Sequence, residues 1–298
     1  MAAHVADSPA EVHLLDGALG TELGRRGILT RGALFSAAAL LDGGGRAALR
    51  EVHRAYVEAG AEVITAATFR TSRRSLAAAG LESRFPELPR LAVREAREAA
   101  AGRARVAGSI GPLEDCYRPD LRPPPAQAGR EHLEHARVLA EAGCDLLLVE
   151  TVAAADEGLA AVAAAAATGL PVWVAAMATP RGTLLDGGDL AAFFRRAVAA
   201  GASAALINCT PPDGVDLALP AAAASGVPFG AYAHLGEVDA AVPWGRAPDL
   251  SPEEYARRAL RWVDRGATIV GGCCGTGPEH VSATARALAG ASRGGRPA

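Results

Sequence analysis

Short apolar segments alternate with amphipathic, helix-like segments along almost the whole of this 298-residue chain. Several of the helix-like segments end at a glycine, as at Ala59-Gly60 and Ala142-Gly143, and the next apolar segment begins soon afterwards. Glycine commonly follows a helix, and this alternation is typical of parallel strands joined by helical crossovers. The apolar segments predict strands over residues 13–15, 62–65, 105–107, 145–149, 172–176, 204–207, 229–232 and 268–270.

Eight strand–helix units in 298 residues predict an α/β fold with a single (β/α)8 TIM-type barrel. A doubly wound open sheet is the alternative, but no G-x-G-x-x-G motif follows the first strand. We expect one domain over residues 1–298, with its core from about residue 12 to residue 289. The predicted helices include residues 46–59, 88–101, 131–142, 159–170, 190–200, 252–265 and 279–289.

Composition excludes several classes of function. The net charge of −3 argues against a nucleic-acid partner, which would require a basic face. The chain contains no lysine, so a lysine Schiff base and the lysine of a P-loop are both excluded. Residues 1–10 lack the features of a secretory signal, and the apolar stretch 159–170 is too short to span a bilayer. We therefore expect a cytoplasmic protein without a membrane partner.

Two neighbouring cysteines flanked by glycines, Cys273 and Cys274, follow the eighth predicted strand, and Cys209 follows the sixth. The carboxyl ends of barrel strands meet at one mouth, so the three sulfurs can converge there. Three protein ligands and an open fourth position are typical of a catalytic zinc site. Buried free cysteines remain the alternative, because cysteine is also a common small core residue and the spacing matches no zinc-finger pattern.

The remaining cysteines and the histidines are weaker candidates for metal ligands. Cys116 lies in the proline-rich stretch 111–126, which predicts a loop over the barrel mouth, and Cys144 precedes the fourth strand at the opposite end. We expect both to be structural, although Cys116 is placed where it can approach the metal. His132 and His135 are predicted on an exposed, charged helix face and are not expected to bind metal.

Polar residues recur where the predicted strands end. Asp16 caps the following helix, binds substrate, or does both. Glu150 closes an apolar strand, where an unpaired carboxylate is costly, so it needs a cationic partner from the substrate or from a buried arginine. The full set of such residues is Asp16, Thr68, Arg70, Ser109, Glu150, Asn208, Tyr232 and His234.

Five segments together resemble the homocysteine-binding domain of the zinc-dependent homocysteine S-methyltransferases, from about residue 12 to residue 289: 16–23, 64–69, 108–112, 208–209 and 271–275. The resemblance implies a barrel that transfers a methyl group to homocysteine to make methionine. It also implies that Cys209, Cys273 and Cys274 bind zinc. Asp16 and Glu150 match the acidic positions that hold the amino-acid part of homocysteine.

The chemistry of three cysteines agrees with alkyl transfer to sulfur. A free thiol with a pKa of about 8.5 is mostly protonated at neutral pH, and only its thiolate is a good nucleophile. Zinc deprotonates a coordinating thiol. Because three thiolates leave the centre anionic, electron density stays on a bound substrate sulfur, whereas an all-histidine site would leave the metal cationic.

The methyl donor is narrowed by elimination. Folate-dependent members of the family need further modules, and the betaine enzymes usually carry a carboxyl-terminal extension, whereas one barrel occupies this chain. A small sulfonium is therefore expected, S-methylmethionine before S-adenosylmethionine. Arg70, His234 and residues 152–155 depart from the family pattern where the donor is expected.

Two alternative functions remain. One is a barrel enzyme of other chemistry with a phosphate-binding loop at strand eight, and the other is a zinc-binding homologue without catalysis.

Overall fold

The computed structural model describes residues 11–28, 30, 32–236 and 248–293. Eight parallel strands form one sheet in which each strand from β2 onwards pairs with the next, and β8 pairs with β1. The prediction that residues 1–10 are not a secretory signal concerns residues outside the described ranges. The strands are β1 (His13–Leu14), β2 (Val63–Thr65), β3 (Arg105–Ile110), β4 (Leu146–Val152), β5 (Val172–Ala176), β6 (Ala204–Asn208), β7 (Phe229–Ala233) and β8 (Ile269–Gly272).

The sheet closes into a barrel between its two shortest strands. Leu15 and Val63 form an isolated parallel bridge between β1 and β2. The amide of Glu62 also donates to the carbonyl of Leu14 at 2.8 Å, and the amide of Asp16 donates to Val63 at 3.0 Å. The predicted (β/α)8 barrel is therefore confirmed, and the open-sheet alternative is wrong.

Ten α-helices lie within the described residues, and eight of them are the crossovers that follow the strands. The other two, α1 and α3, are short segments at the mouth after β1 and β2; neither α3 nor α8 was predicted. None of the helices in the described part of the chain is long and apolar enough to cross a membrane. The helices are α1 (Leu19–Arg25), α2 (Gly43–Glu58), α3 (Arg73–Ala78), α4 (Glu87–Ala100), α5 (Pro125–Glu141), α6 (Ala155–Ala166), α7 (Leu190–Ala199), α8 (Pro212–Ala223), α9 (Pro252–Asp264) and α10 (Pro278–Arg293).

Alternate residues of the strands fill the barrel interior, as the two-residue period of a strand requires. One buried cluster contains Leu146 and Leu148 of β4, Ala107 of β3 and Val63 of β2. The next inward position on each of these strands carries a polar side chain at the mouth. These polar residues are Thr65, Ser109 and Glu150.

Strand β4 contains one extra residue relative to β5. Val149 pairs with Val174 and Val152 pairs with Ala176, so three steps along β4 match two steps along β5. Thr151, inside this bulge, has a φ of 59°. Bulges are frequent beside active sites, where they redirect side chains, and this one lies at Glu150.

The two histidines of α5 correct the sequence prediction. His132 and His135 are buried rather than exposed, with 1% and 2% of their surface accessible. His135 Nε2 lies 3.0 Å from the hydroxyl of Thr71, and His132 Nε2 lies 3.5 Å from Glu157. The charged composition of this helix concealed a face that packs against β3, β4 and α6.

Candidate metal centre and substrate cavity

A cavity of about 1040 Å³ opens at the mouth of the barrel. Its wall combines the loops after the first three strands with residues at the ends of β4, β6, β7 and β8. Ligand pockets usually have volumes of about 300–1,000 Å³, so this cavity has room for two small substrates. The structure brings all five predicted site residues into its wall: Asp16, Glu150, Cys209, Cys273 and Cys274.

The three predicted sulfur ligands converge. The Sγ atoms of Cys209, Cys273 and Cys274 all lie within 4.8 Å of one another, and no other such group of potential metal-binding residues occurs in the described ranges. Cys209 has a φ of 48°, in the left-handed region. A non-glycine residue there costs about 1–3 kcal/mol and commonly marks a functional site.

Glycines allow the two cysteines after β8 to reach the same point. Gly275 has a φ of +82°, and a Cβ on it would lie 2.3 Å from the carbonyl oxygen of Leu235. A Cβ on Gly271 would lie 2.5 Å from the Cβ of Leu15. A side chain at either position would push the turn away from its neighbours, so the glycine pattern is a requirement of this backbone.

The protonation of the sulfurs fits a thiophilic divalent metal ion. Hydrogen bonds from Cys209 and Cys273 hold the pKa of Cys274 well below its ordinary value, whereas sharing hydrogen bonds with the other two sulfurs raises the pKa of Cys273. Mutual hydrogen bonds therefore link the three sulfurs, and Cys274 is the one whose pKa they lower. A divalent cation would allow all three to ionise, and zinc accepts three cysteines with one open position.

The loop after β3 covers the sulfur group, as the sequence predicted. The Tyr117 hydroxyl lies 3.7 Å from Cys209 Sγ, and burial holds the Tyr117 pKa far above its ordinary value, so the hydroxyl can donate to the sulfur. Cys116 packs in the same apolar cluster, and burial raises its pKa to about 12. Cys116 is thus a neutral thiol beside the group of three. Cys144 is buried before β4, away from the cavity wall.

Asp16 is a buried carboxylate fixed by one residue of the next strand. It accepts hydrogen bonds from the amide of Thr65 at 2.7 Å and from the hydroxyl of Thr65 at 3.0 Å. Helix α1 begins after Ala18 and has no side-chain cap, so the capping alternative is wrong. Burial raises the pKa of Asp16 to about 7, against the effect of these hydrogen bonds.

Glu150 lies deep in the mouth and faces the cavity. The Ser109 hydroxyl donates to one carboxylate oxygen, and the Tyr232 hydroxyl donates to the other at 3.0 Å. No arginine pairs with Glu150 in the described residues, so a buried arginine partner is excluded there. Burial raises the pKa of Glu150 above its ordinary value, as expected for an anion that lacks a cationic partner.

Asn208 connects the strained residue of β4 to the strand that precedes Cys209. Its side-chain oxygen accepts from the amide of Thr151 at 3.1 Å, and its nitrogen donates to the Thr151 hydroxyl at 3.0 Å. The sequence indicated Asn208 but missed Thr151, Thr65 and Tyr117. Thr65 was detectable from its place two residues after the inward Val63, whereas nothing local indicates the contacts of the other two.

The closed barrel, the cavity at its mouth and the three converging sulfurs define the class of protein as an α/β-barrel enzyme with a cysteine centre. The sequence matches the family model described as homocysteine S-methyltransferase over residues 13–288. The chain therefore belongs to the homocysteine S-methyltransferase family.

Known proteins agree along nearly the whole chain. Homocysteine S-methyltransferase YbgG of Bacillus subtilis is 29% identical over 319 residues, covering 96% of this chain and 98% of that protein. A selenocysteine methyltransferase of Astragalus bisulcatus is 28% identical over 311 residues, covering 90% of each. The metallated homocysteine methyltransferase MmuM of Escherichia coli has a TM-score of 0.79 at 27% identity, covering 93% of this chain and 96% of that one.

Proposed function

We propose that this protein transfers a methyl group from a small sulfonium compound to the thiol of homocysteine and so makes methionine. S-methylmethionine is our first choice of donor and S-adenosylmethionine our second. The observation that carries the proposal is the meeting of three sulfurs and two acidic side chains in one cavity. Family membership supports the reaction class.

Cys209, Cys273 and Cys274 are the proposed zinc ligands. Bound zinc would supply an open position at which the substrate sulfur loses its proton and remains a nucleophile. Tyr117, 3.7 Å from Cys209, would stabilise negative charge on that sulfur through its hydroxyl. Cys209 is buried and the other two cysteines are partly buried, and partial burial strengthens electrostatic contacts relative to those in water.

Asp16 and Glu150 are proposed to hold the ammonium group of homocysteine. Both carboxyl groups have raised pKa values because of burial, so a cation between them would restore their charged forms. Thr65 already positions the Asp16 carboxylate by a hydrogen bond, and Ser109 and Tyr232 do the same for Glu150. The ammonium therefore meets a prepared site, and the thiol is directed towards the cysteines.

The transfer itself balances without an oxidant or reductant. A lone pair on the homocysteine sulfur forms the new bond to the methyl carbon, and the bond between that carbon and the donor sulfonium breaks. The electron pair stays on the donor sulfur, which becomes a neutral thioether. The thiol proton leaves to solvent. S-methylmethionine would thus give methionine from both partners.

The phosphate-loop alternative is disfavoured by the hydrogen bonds of the turn after β8. A phosphate site needs free backbone amides. Here five amides donate to protein acceptors: those of Gly272, Cys273, Gly275, Thr276 and Gly277.

We also propose that the chain works as a single domain. All five cysteines are free thiols, which fits a reducing compartment such as the cytoplasm.

A donor panel tests the proposal. Zinc-loaded protein and homocysteine are mixed with S-methylmethionine, S-adenosylmethionine, betaine or methylfolate, and methionine is quantified by mass spectrometry from an isotope-labelled methyl group. We expect label transfer from a sulfonium without cobalamin. Selenocysteine is tested as a second acceptor, because one relative is a selenocysteine methyltransferase. A protein that binds zinc but transfers label from no donor would refute catalysis.

A further inference from the structure

Arg70 lines the cavity and has an unused hydrogen-bonding edge. It follows β2 and lies in the cavity wall. Its Nη1 donates to the carbonyl oxygens of Pro112 at 3.1 Å and Glu114 at 2.6 Å. Within the described residues, its Nε and Nη2 donate no hydrogen bond and no carboxylate pairs with it. A guanidinium at a cavity wall with three of its five N–H donors unused is suited to bind an anion.

The unused edge is a complete carboxylate-binding face. Arg73, three residues later, uses the same two atoms, Nε and Nη2, to bind the carboxylate of Glu134 at 3.1 and 2.7 Å. Arg84 binds Glu87 in the same way at 3.0 and 2.6 Å. Such two-point pairing is the preferred geometry of arginine with carboxylates.

Arg74 shows that an arginine in this wall need not be free. It also lines the cavity, but it pairs with Glu131 at 2.6 Å and with Glu114 at 2.8 Å. Both of its partners come from the loop and helix after β3. The contrast makes Arg74 a matched control, because it carries the same charge in the same cavity without an open edge.

Phe69 lies between Arg70 and the apolar cluster that contains the cysteines. The guanidinium carbon of Arg70 is 5.0 Å from the centre of the Phe69 ring, and Phe69 packs against the apolar cluster that contains Cys116 and Cys209. Burial raises the pKa of Cys116, and the positive charge of Arg70 opposes that effect. A donor bound at Arg70 would therefore extend over Phe69 towards the three cysteines.

We propose that Arg70 binds the carboxylate of an amino-acid methyl donor, so that the cavity has two separate amino-acid subsites. This inference rests on the proposed methyl transfer. The inner subsite, at Asp16 and Glu150, is acidic and suits the ammonium of the acceptor. The outer subsite, at Arg70, suits the carboxylate of S-methylmethionine and leaves its sulfonium free to approach the acceptor sulfur.

The test compares S-methylmethionine with its carboxamide. Calorimetry measures the dissociation constant of each in wild-type protein, Arg70→Gln and Arg74→Gln. A charge-assisted two-point contact is worth about 1.5–3 kcal/mol, or roughly ten- to a hundredfold in affinity. We expect wild-type protein and Arg74→Gln to prefer the acid by that factor, and Arg70→Gln to bind both forms about equally.

The ratio of the two constants separates anion binding from a structural role. If Arg70 only supports the loop, Arg70→Gln weakens both forms alike and the preference for the acid survives, which would overturn the inference. Failure of the wild-type protein to prefer the acid would do the same. If Arg70→Gln instead removes a preference for homocysteine over homocysteine carboxamide, then Arg70 binds the acceptor and the inference is wrong. Because binding is measured without turnover, absent methionine formation refutes the proposed function separately.

Discussion

The two halves of the barrel mouth are built by different means. In the sulfur half, formed by Cys209, Cys273 and Cys274, the backbone positions the side chains through a left-handed residue and close-packed glycines. In the carboxylate half, formed by Asp16 and Glu150, hydroxyl and amide donors position each group. A ligand set without redundancy should fail as a unit, whereas a network of separate hydrogen bonds should weaken in steps.

The largest effect is expected in the sulfur half. Changing Cys209, Cys273 or Cys274 to alanine should remove zinc and methyl transfer together, because three ligands leave no replacement. Metal analysis and the donor assay measure the two losses. Cys144→Ala is the control, because Cys144 is buried outside the cavity wall. Zinc at about one per chain and full turnover in Cys273→Ala would contradict the assignment.

Asp16→Asn should separate stability from binding. The pKa of Asp16 in the folded protein is about 7, against 3.8 in the reference state, so the folded protein keeps a proton that the unfolded chain releases. The resulting stabilisation is complete below about pH 4 and is lost as the pH rises through 7. At pH 8 the ionised carboxylate therefore costs the free protein up to about 4 kcal/mol, an upper limit at about 1.36 kcal/mol per pKa unit.

Urea unfolding of ligand-free protein and homocysteine binding measure the two effects of Asp16→Asn. The variant should unfold at higher urea than the wild type at pH 8, with little difference near pH 4, and should bind homocysteine more weakly. Equal stability of the two proteins at pH 8 would show that Asp16 does not carry an uncompensated charge.

Glu150→Gln should weaken homocysteine binding and leave zinc in place. Losing a charge-assisted contact costs about 1.5–3 kcal/mol, or roughly ten- to a hundredfold in affinity. Calorimetry and metal analysis report on the two sites separately. Glu95→Gln is a control for removing a buried carboxylate, because Glu95 pairs with Arg50 outside the cavity wall. Lost zinc with normal homocysteine binding would reverse the roles of the two halves.

The smallest effect is expected for Thr65→Val. Valine has a similar shape but cannot donate to Asp16, while the amide of residue 65 still can. The loss of one hydrogen bond costs about 1 kcal/mol, or roughly fivefold in homocysteine affinity. The Asp16 pKa should also rise further. As the pH is lowered, Asp16 of the variant should therefore be protonated, and homocysteine binding should weaken, at a higher pH than in the wild type. A pH titration of the dissociation constant checks both effects.

The strands were predictable because their apolar runs are bounded by glycines and polar turns. The carboxyl ends of the strands were not predictable. Strands β3 and β4 continue past the predicted ends at Ala107 and Val149 and include Ser109 and Glu150. A polar side chain that faces the mouth does not interrupt the backbone ladder, so composition ends the strand too early.

The sulfur group was predictable and the contacts of the carboxylates were not. The strand ends and the motif after β8 indicated Cys209, Cys273 and Cys274, which converge as expected. The donors to Glu150 come from β3 and β7, and only the closed barrel brings these strands to it. The same holds for His135, which meets Thr71 from a loop of the preceding unit.

The bulge in β4 has an entropic consequence for substrate binding. Val149 and Val152 are both held in the ladder with β5, so Glu150 and Thr151 form a two-residue arch fixed at each end. Asn208 holds the middle of that arch. The conformational freedom of this segment is thus lost when the chain folds and not when a ligand arrives. Homocysteine therefore meets a carboxylate whose ordering costs little at the moment of binding.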